Sequence, residues 1–394
     1  MELIKAVKNI ENKIIKWRQD LHSIPGIDFD LEDTYNYVRK ALEEMNIPYI
    51  TLAKTGICAL IEGREKGPTI ALRADMDGLL IKEETGLGYS SKNDCMHACG
   101  HDAHMAMLLG AACIFTDNKE KLKGNVKLIF QPAEENLGGA KPMIQEGCLD
   151  NPKVDRVLGL HIGQLFSEVK GGMLGFRKGA AMASVDKFIV KVKGKGGHGA
   201  TPHLCVDPIT IASEMVLSLQ KIISREVNPI YSSVLTIGII KGGTAFNIIP
   251  ECVEFQGTVR TVNSEERIKI QNRIHQICES IAKANRAEVE VEYLNKYPVL
   301  VNDDKFTEQI IKSAEKVLSK DKIVMLNAPG MISEDMAYYL EKVPGTFFFL
   351  GSNNESKGIT YPHHHPKFNI DEEVLWIGTA VLAQSVFDFF DLHP

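Results

Sequence analysis

The 394 residues predict an α/β protein, a mostly parallel sheet with helices on both faces, carrying a smaller inserted α+β domain of ferredoxin-like type. Three observations carry that expectation. Short apolar strands alternate with helical stretches through residues 1–181 and again through 295–394, the pattern of a parallel sheet with helical crossovers. Residues 182–294 instead read β-α-β-β-α-β, the split order of ferredoxin-like domains. The chain is also longer than one hydrophobic core usually serves.

Taken in order, residues 1–45 read as two helices around the break at Pro25-Gly26. Strands follow at 49–52, 58–62 and 69–73, the last running into Arg73-Ala-Asp75-Met-Asp77. Met96 to His104 then packs His97, Cys99, His101, Asp102 and His104 at the mouth of an Ala-rich helical run, 105–115. Gly100 suits a turn there, and Asp102 suits a helix start. An apolar strand at 126–130 leads into Gln131-Pro-Ala-Glu134-Glu135, followed by a helix at 139–146 and a strand at 154–160 that ends on His161. The insertion offers an alternating strand at 188–192, a helix at 207–226 and strands at 233–240 and 245–262. A charged amphipathic helix at 264–285 and a strictly alternating strand at 287–293 complete it. Beyond lie helices at 303–318 and 334–340, a buried strand at 346–351, a loop with His363, His364 and His365, and a closing helix at 372–390.

Composition narrows the function. A net charge of -6 with a pI near 6.1 argues against nucleic acid as a partner. No apolar run reaches the length needed to span a bilayer, and the N-terminal stretch is a charged amphipathic pattern rather than a signal peptide, so a cytoplasmic protein without a membrane partner is expected. Eight scattered cysteines do not form a disulfide framework in a chain of this size. Gly194-Lys-Gly-Gly-His-Gly199 matches a dinucleotide fingerprint in letters only, because the following helix begins near Asp207 and not on the glycines.

Metal-capable groups recur at strand ends: Asp75 and Asp77, Glu134 and Glu135, His161, and the histidine loop. In an open parallel sheet, ligands bind outside the carboxyl ends of strands, so these groups can converge with the Cys99–His101 stretch on one metal site. His97 and His104 read as support, and His363 and His365 as solvated loop residues.

The motifs Arg73-Ala-Asp-Met-Asp77, His97-Ala-Cys-Gly-His-Asp-Ala-His104, Phe130-Gln-Pro-Ala-Glu-Glu135, Gly196-Gly-His-Gly-Ala-Thr-Pro202, Asn247-Ile-Ile-Pro250 and His364-His-Pro366 occur in that order. This series resembles the amidohydrolase branch of the aminoacylase/carboxypeptidase metallopeptidase family, which includes hippurate hydrolases, indole-acetyl-amino-acid hydrolases and N-acetyl-diaminopimelate deacetylases. Gly78-Leu79-Leu80 departs from the branch, which often has Ala-Leu-Pro there. The resemblance implies two divalent metal ions (manganese, zinc, cobalt or nickel) held by Cys99, His101, Glu135, His161 and His364. It implies Glu134 as general base, with Asp75 and Asp77 orienting a ligand imidazole. It further implies a homodimer through the inserted domain, in which His198 and Asn247 reach the partner's active site to stabilise an oxyanion, and Arg260 as a holder of the substrate carboxylate. The implied reaction is hydrolysis of the amide of a small N-acyl-L-amino acid. A dipeptidase or carboxypeptidase with the same site is the alternative within the class, and a non-catalytic dimeric binding protein the alternative outside it.

Overall fold

The computed structural model describes residues 2–392, which form two compact units: 2–181, 301–328 and 335–392 in the first, 182–300 and 329–334 in the second. Met1, His393 and Pro394 lie outside the described residues, including the start of the N-terminal helical expectation. The short segment Pro329–Glu334, expected with the flanking domain, groups with the second unit.

The first unit is built on an eight-stranded sheet. Its parallel centre runs Asn125–Gln131, Thr69–Asp75, Arg156–Ile162, Gly345–Leu350, with Arg73 level with Ile129 on one side and Gly159 on the other. Every residue of Thr69–Asp75 is buried, which is why this strand reads as a nearly continuous apolar run. The chain leaves this strand to one neighbour, Asn125–Gln131, and returns to its other neighbour, Arg156–Ile162. That reversal is a topological switch point, and it places a crevice at the strands' carboxyl ends. Strands Tyr49–Leu52 and Gly56–Glu62 add antiparallel on one side. Leu174–Phe176 and Ile323–Met325 extend the other side, and neither was expected from the sequence because each has only three residues.

Helix His101–Asp117 is buried almost all round. Its small residues let neighbours approach: a Cβ on Gly110 would stand 2.9 Å from the Thr379 side chain of helix Leu375–Leu392. That last helix overturns one expectation. Glu372–Leu392 is long and apolar enough to cross a membrane by composition, yet 72% of the window is buried inside the protein, so its apolar surface is met by the core. The N-terminal region holds three helices, Glu2–Asn9, Glu11–His22 and Glu32–Glu44, not two.

The second unit has a four-stranded antiparallel sheet in the order Ser233–Gly242, Cys252–Thr261, Asp186–Lys193, Glu288–Asn295, with helices Pro208–Lys221 and Ser264–Ala284. In chain order this is β-α-β-β-α-β with the first and third strands central, the ferredoxin-like arrangement. Phe188, Val190 and Val192 face its core together with Ile211, Met215, Ile270 and Ile274 from the helices. The expected single strand at 245–262 is divided into Ile248–Ile249 and Cys252–Thr261, since Pro250 lacks the N–H a ladder needs.

Candidate metal centre

The switch point of the first unit collects its side chains from segments that end strands or open a helix. Thr69–Asp75 runs into Asp77, Asn125–Gln131 into Glu134 and Glu135, and Arg156–Ile162 carries His161 near its end. The loop after Gly345–Leu350 brings His363 and His364. Gly100 lies at φ 92°, where a Cβ would stand 2.8 Å from Ile162 Cγ2, so the turn between Cys99 and His101 needs glycine. Ala133 and His364 also occupy the left-handed region, at φ 58° and 63°, a costly conformation for residues that carry a Cβ.

Among the metal-capable groups of the described residues, two share one sulfur. Cys99, His101 and His161 each offer a ligand atom within 4.8 Å of the others, and so do Cys99, Glu135 and His364. Glu134 joins His101 and Glu135 in a further group of the same compactness.

Backbone carbonyls set the imidazoles from behind. His101 Nδ1 donates to the Asp77 carbonyl at 2.8 Å, which leaves the lone pair on Nε2. That Nε2 is buried with no hydrogen-bond partner, 3.8 Å from Glu135 Oε1, which has none either. His161 Nδ1 donates to the Ile162 carbonyl at 2.8 Å and turns Nε2 toward Cys99 Sγ at 3.5 Å. Buried polar atoms without partners are expensive, and a cation between these two nitrogens, the thiolate and the carboxylate would satisfy them. The residues present therefore fit a soft-to-borderline divalent metal pair.

Electrostatics agree. Burial opposes charge on His101, but Asp75, Asp77 and Glu135 carry its pKa up to about 10. Burial, helped by Glu135, Glu134 and Asp75, pushes the Cys99 thiol well above its usual range. Burial and the neighbouring His104 and His363 keep His161 neutral, as a ligand must be. A cation held here would replace the proton that the carboxylates favour on His101 and would favour the thiolate form of Cys99.

The neighbours of these donors are themselves held in place. Asp77 meets His101 most closely through its carbonyl, its carboxylate standing 3.4 Å away and instead accepting the N–H of Glu134 at 3.1 Å and of Glu135 at 3.0 Å. Asp75 accepts from His104 Nδ1 at 2.6 Å and from Arg73 Nη1 at 2.6 Å, and lies 3.7 Å from His101 Nε2. His104 has both nitrogens engaged, since Nε2 accepts the Ile162 N–H at 2.8 Å, and so acts as a strut. His363 is not a solvated loop residue: it donates to the Ile162 carbonyl at 3.0 Å and packs edge-on against His161. His365 stacks on Tyr361 with ring centroids 4.5 Å apart. Sequence reasoning missed Gln131 and Asp335, which bind Arg73 at 2.9 and 2.7 Å from behind the site. Gln131 had a signal in its strand-end position; Asp335 had none.

His198, Asn247 and Arg260 belong to the second unit. His198 and Asn247 are exposed neighbours: Gly199 donates to the Asn247 carbonyl at 2.9 Å, and His198 Nδ1 accepts from Ala200 N at 3.0 Å. Arg260 is half-buried and donates to the Met331 carbonyl at 3.2 Å; burial lowers its pKa.

A donor set of this composition at a switch point suits a metal-dependent hydrolase. Residues 71–388 match the model of peptidase family M20/M25/M40, and the chain belongs to that family. It is 41% identical over 384 residues to the N-acetyl-L-cysteine deacetylase of Bacillus subtilis, covering 97% of this chain and 88% of that one. It is 40% identical over 394 residues to thermostable carboxypeptidase 1 of Saccharolobus solfataricus, covering 97% and 98%. Among solved structures, a dinuclear metal-binding peptidase of the M20 family from Bacillus subtilis superposes with a TM-score of 0.84 at 34% identity, over 98% of this chain and 99% of that one.

Proposed function

We propose that this protein hydrolyses the amide bond of N-acyl-L-amino acids, releasing a carboxylic acid and the free amino acid. The observation that carries the reading is the pair of donor groups sharing Cys99 Sγ, with Glu134 alongside. Cys99, His101 and His161 would hold one divalent ion, and Cys99, Glu135 and His364 the other. Such ions supply Lewis acidity to the scissile carbonyl and make an attacking water more acidic. Glu134 is buried beside both groups, with its backbone fixed by Asp77. Its carboxylate takes the water's proton as the C–O bond forms, then returns it to the leaving nitrogen as the C–N bond breaks. Arg260 would bind the substrate carboxylate. His198 and Asn247 would serve the oxyanion of a partner subunit in a homodimer formed through the second unit; the exposure of both side chains supports that assignment.

A second reading is peptide cleavage by the same machinery, favoured by the carboxypeptidase among the relatives. Acetyl, benzoyl and aminoacyl amides of one amino acid, assayed with metal-loaded enzyme, separate the two. Glu134→Gln tests the base: turnover should fall by about 10²–10⁴-fold while elemental analysis finds the wild-type metal content. Turnover within a few-fold of wild type would remove Glu134 from that role.

A further inference from the structure

The hydrogen bond that orients His101 is closed between two chain segments, and one N-terminal stretch grips both. On the donor side, Asp102 follows His101 directly. Its Oδ2 stands 2.9 Å from Arg18 Nε and 2.7 Å from His22 Nδ1, and none of these three side chains is exposed. On the acceptor side, Gly78 follows Asp77 directly, and its N–H donates to the Gly26 carbonyl at 2.7 Å. The approach is close enough that a Cβ on Gly78 would stand 3.1 Å from Pro25 Cβ. Arg18 and His22 lie one turn apart at the end of helix Glu11–His22, and Gly26 four residues past it.

The grip is itself anchored. Arg18 Nη1 donates to the Tyr89 hydroxyl at 2.7 Å and to Glu372 Oε1 at 3.1 Å, and His22 Nε2 stands 3.2 Å from Glu83 Oε1. A buried arginine–carboxylate pair contributes little net stability compared with well-packed apolar side chains, but it fixes position. Here the position fixed is that of the residue beside His101.

We propose that residues 18–26 form a positioning clamp for the His101 imidazole. Arg18 and His22 act through Asp102, and Gly26 acts through Gly78. Together they hold the His101–Asp77 geometry that presents Nε2 to a metal ion. The inference rests on reading His101 as a metal ligand, and it assigns work to a segment that precedes residue 71, where the family match begins.

The test uses the full chain carrying His22→Gln or Asp102→Asn, with Ile114→Ala as a control that destabilises the same helix far from its mouth. Metal-free protein is titrated with cobalt(II), following affinity and the visible absorption of the bound ion, and metal-free melting is recorded alongside. The clamp predicts about tenfold weaker cobalt binding and an altered absorption band in both clamp variants, the scale usual for partners that orient a ligand. The control should melt lower yet bind cobalt as wild type does. Wild-type affinity and spectrum in the clamp variants, with melting alone lowered, would overturn the proposal, and if Asp102→Asn does not fold, His22→Gln decides. Failure of the wild-type protein to bind cobalt would reject the ligand reading and the clamp together; equal binding by wild type and variants would reject only the clamp.

Discussion

His104→Phe separates a strut from a ligand at the centre of the site. The side chain is 2% exposed and spans two strand ends. Its Nδ1 donates to Asp75 Oδ1 at 2.6 Å and its Nε2 accepts the Ile162 N–H at 2.8 Å. Phenylalanine roughly keeps the ring volume, so the cavity contribution is small. What remains is a buried carboxylate oxygen without its donor and a buried backbone N–H without its acceptor. The first costs about 1.5–3 kcal/mol and the second about 1–3 kcal/mol, so a loss of about 2.5–6 kcal/mol is expected. That is a large share of the stability of an ordinary domain. Neither lost bond involves a metal-facing atom, so metal content at saturation should equal that of wild type. Urea unfolding of the metal-free protein measures the first quantity, and elemental analysis after gel filtration the second. Unchanged stability with one metal equivalent missing would make His104 a ligand and refute the strut.

Other outcomes follow from the same geometry. Ala133→Gly should be tolerated within about 1 kcal/mol, whereas Ala133→Val places a β-branched residue at φ 58° in a fully buried turn and should lower both melting temperature and metal affinity, because Glu134 and Glu135 follow directly; equal behaviour of the two variants would remove strain from the account. Although burial opposes it, hydrogen bonds from His22 and Thr85 hold Glu83 at about 2, below its ordinary 4.5. A depressed carboxylate stabilises the fold above the unfolded value and loses that contribution as pH falls from about 4.5 toward 2. The Glu83 side chain is only 1% exposed, so the contribution is on the order of 2–3 kcal/mol. Glu83→Gln should therefore flatten the fall in stability between pH 5 and pH 3, and an unchanged slope by denaturant titration would count against the pairing.

How much of this was legible depended on which chemical group does the work. Strand ends were readable because an apolar run stopping at a charged residue is a pattern of side chains; Asp75, Glu134, Glu135 and His161 were found that way. Density drew attention to His97, Cys99, His101, Asp102 and His104 together, and only the family resemblance singled out Cys99 and His101 among them. The tautomers of His101 and His161 were not readable, because the Asp77 and Ile162 carbonyls that set them belong to the backbone and look alike in every residue. Arg18 and His22 sit on an amphipathic helix where charge ordinarily means solvent, and their partner Asp102 is 80 or more residues away.

The charge arrangement explains why the site's support is so elaborate. Asp75, Asp77, Glu134 and Glu135 gather at one switch point, and the buried cation held against them from behind is Arg73, which is shared with Asp335. The remaining negative charge draws a proton onto His101, and that is the side chain whose Nε2 lacks a partner. A fold left with such a repulsive cluster must hold each member by contacts that do not depend on the cation. Asp77 accepting two backbone N–H groups, His104 bridging two strands and Asp102 gripped by Arg18 and His22 are contacts of that kind. They keep the donors apart and aimed while the stabilising charge is still in solution, so that binding is spent on the ions and not on assembling the site.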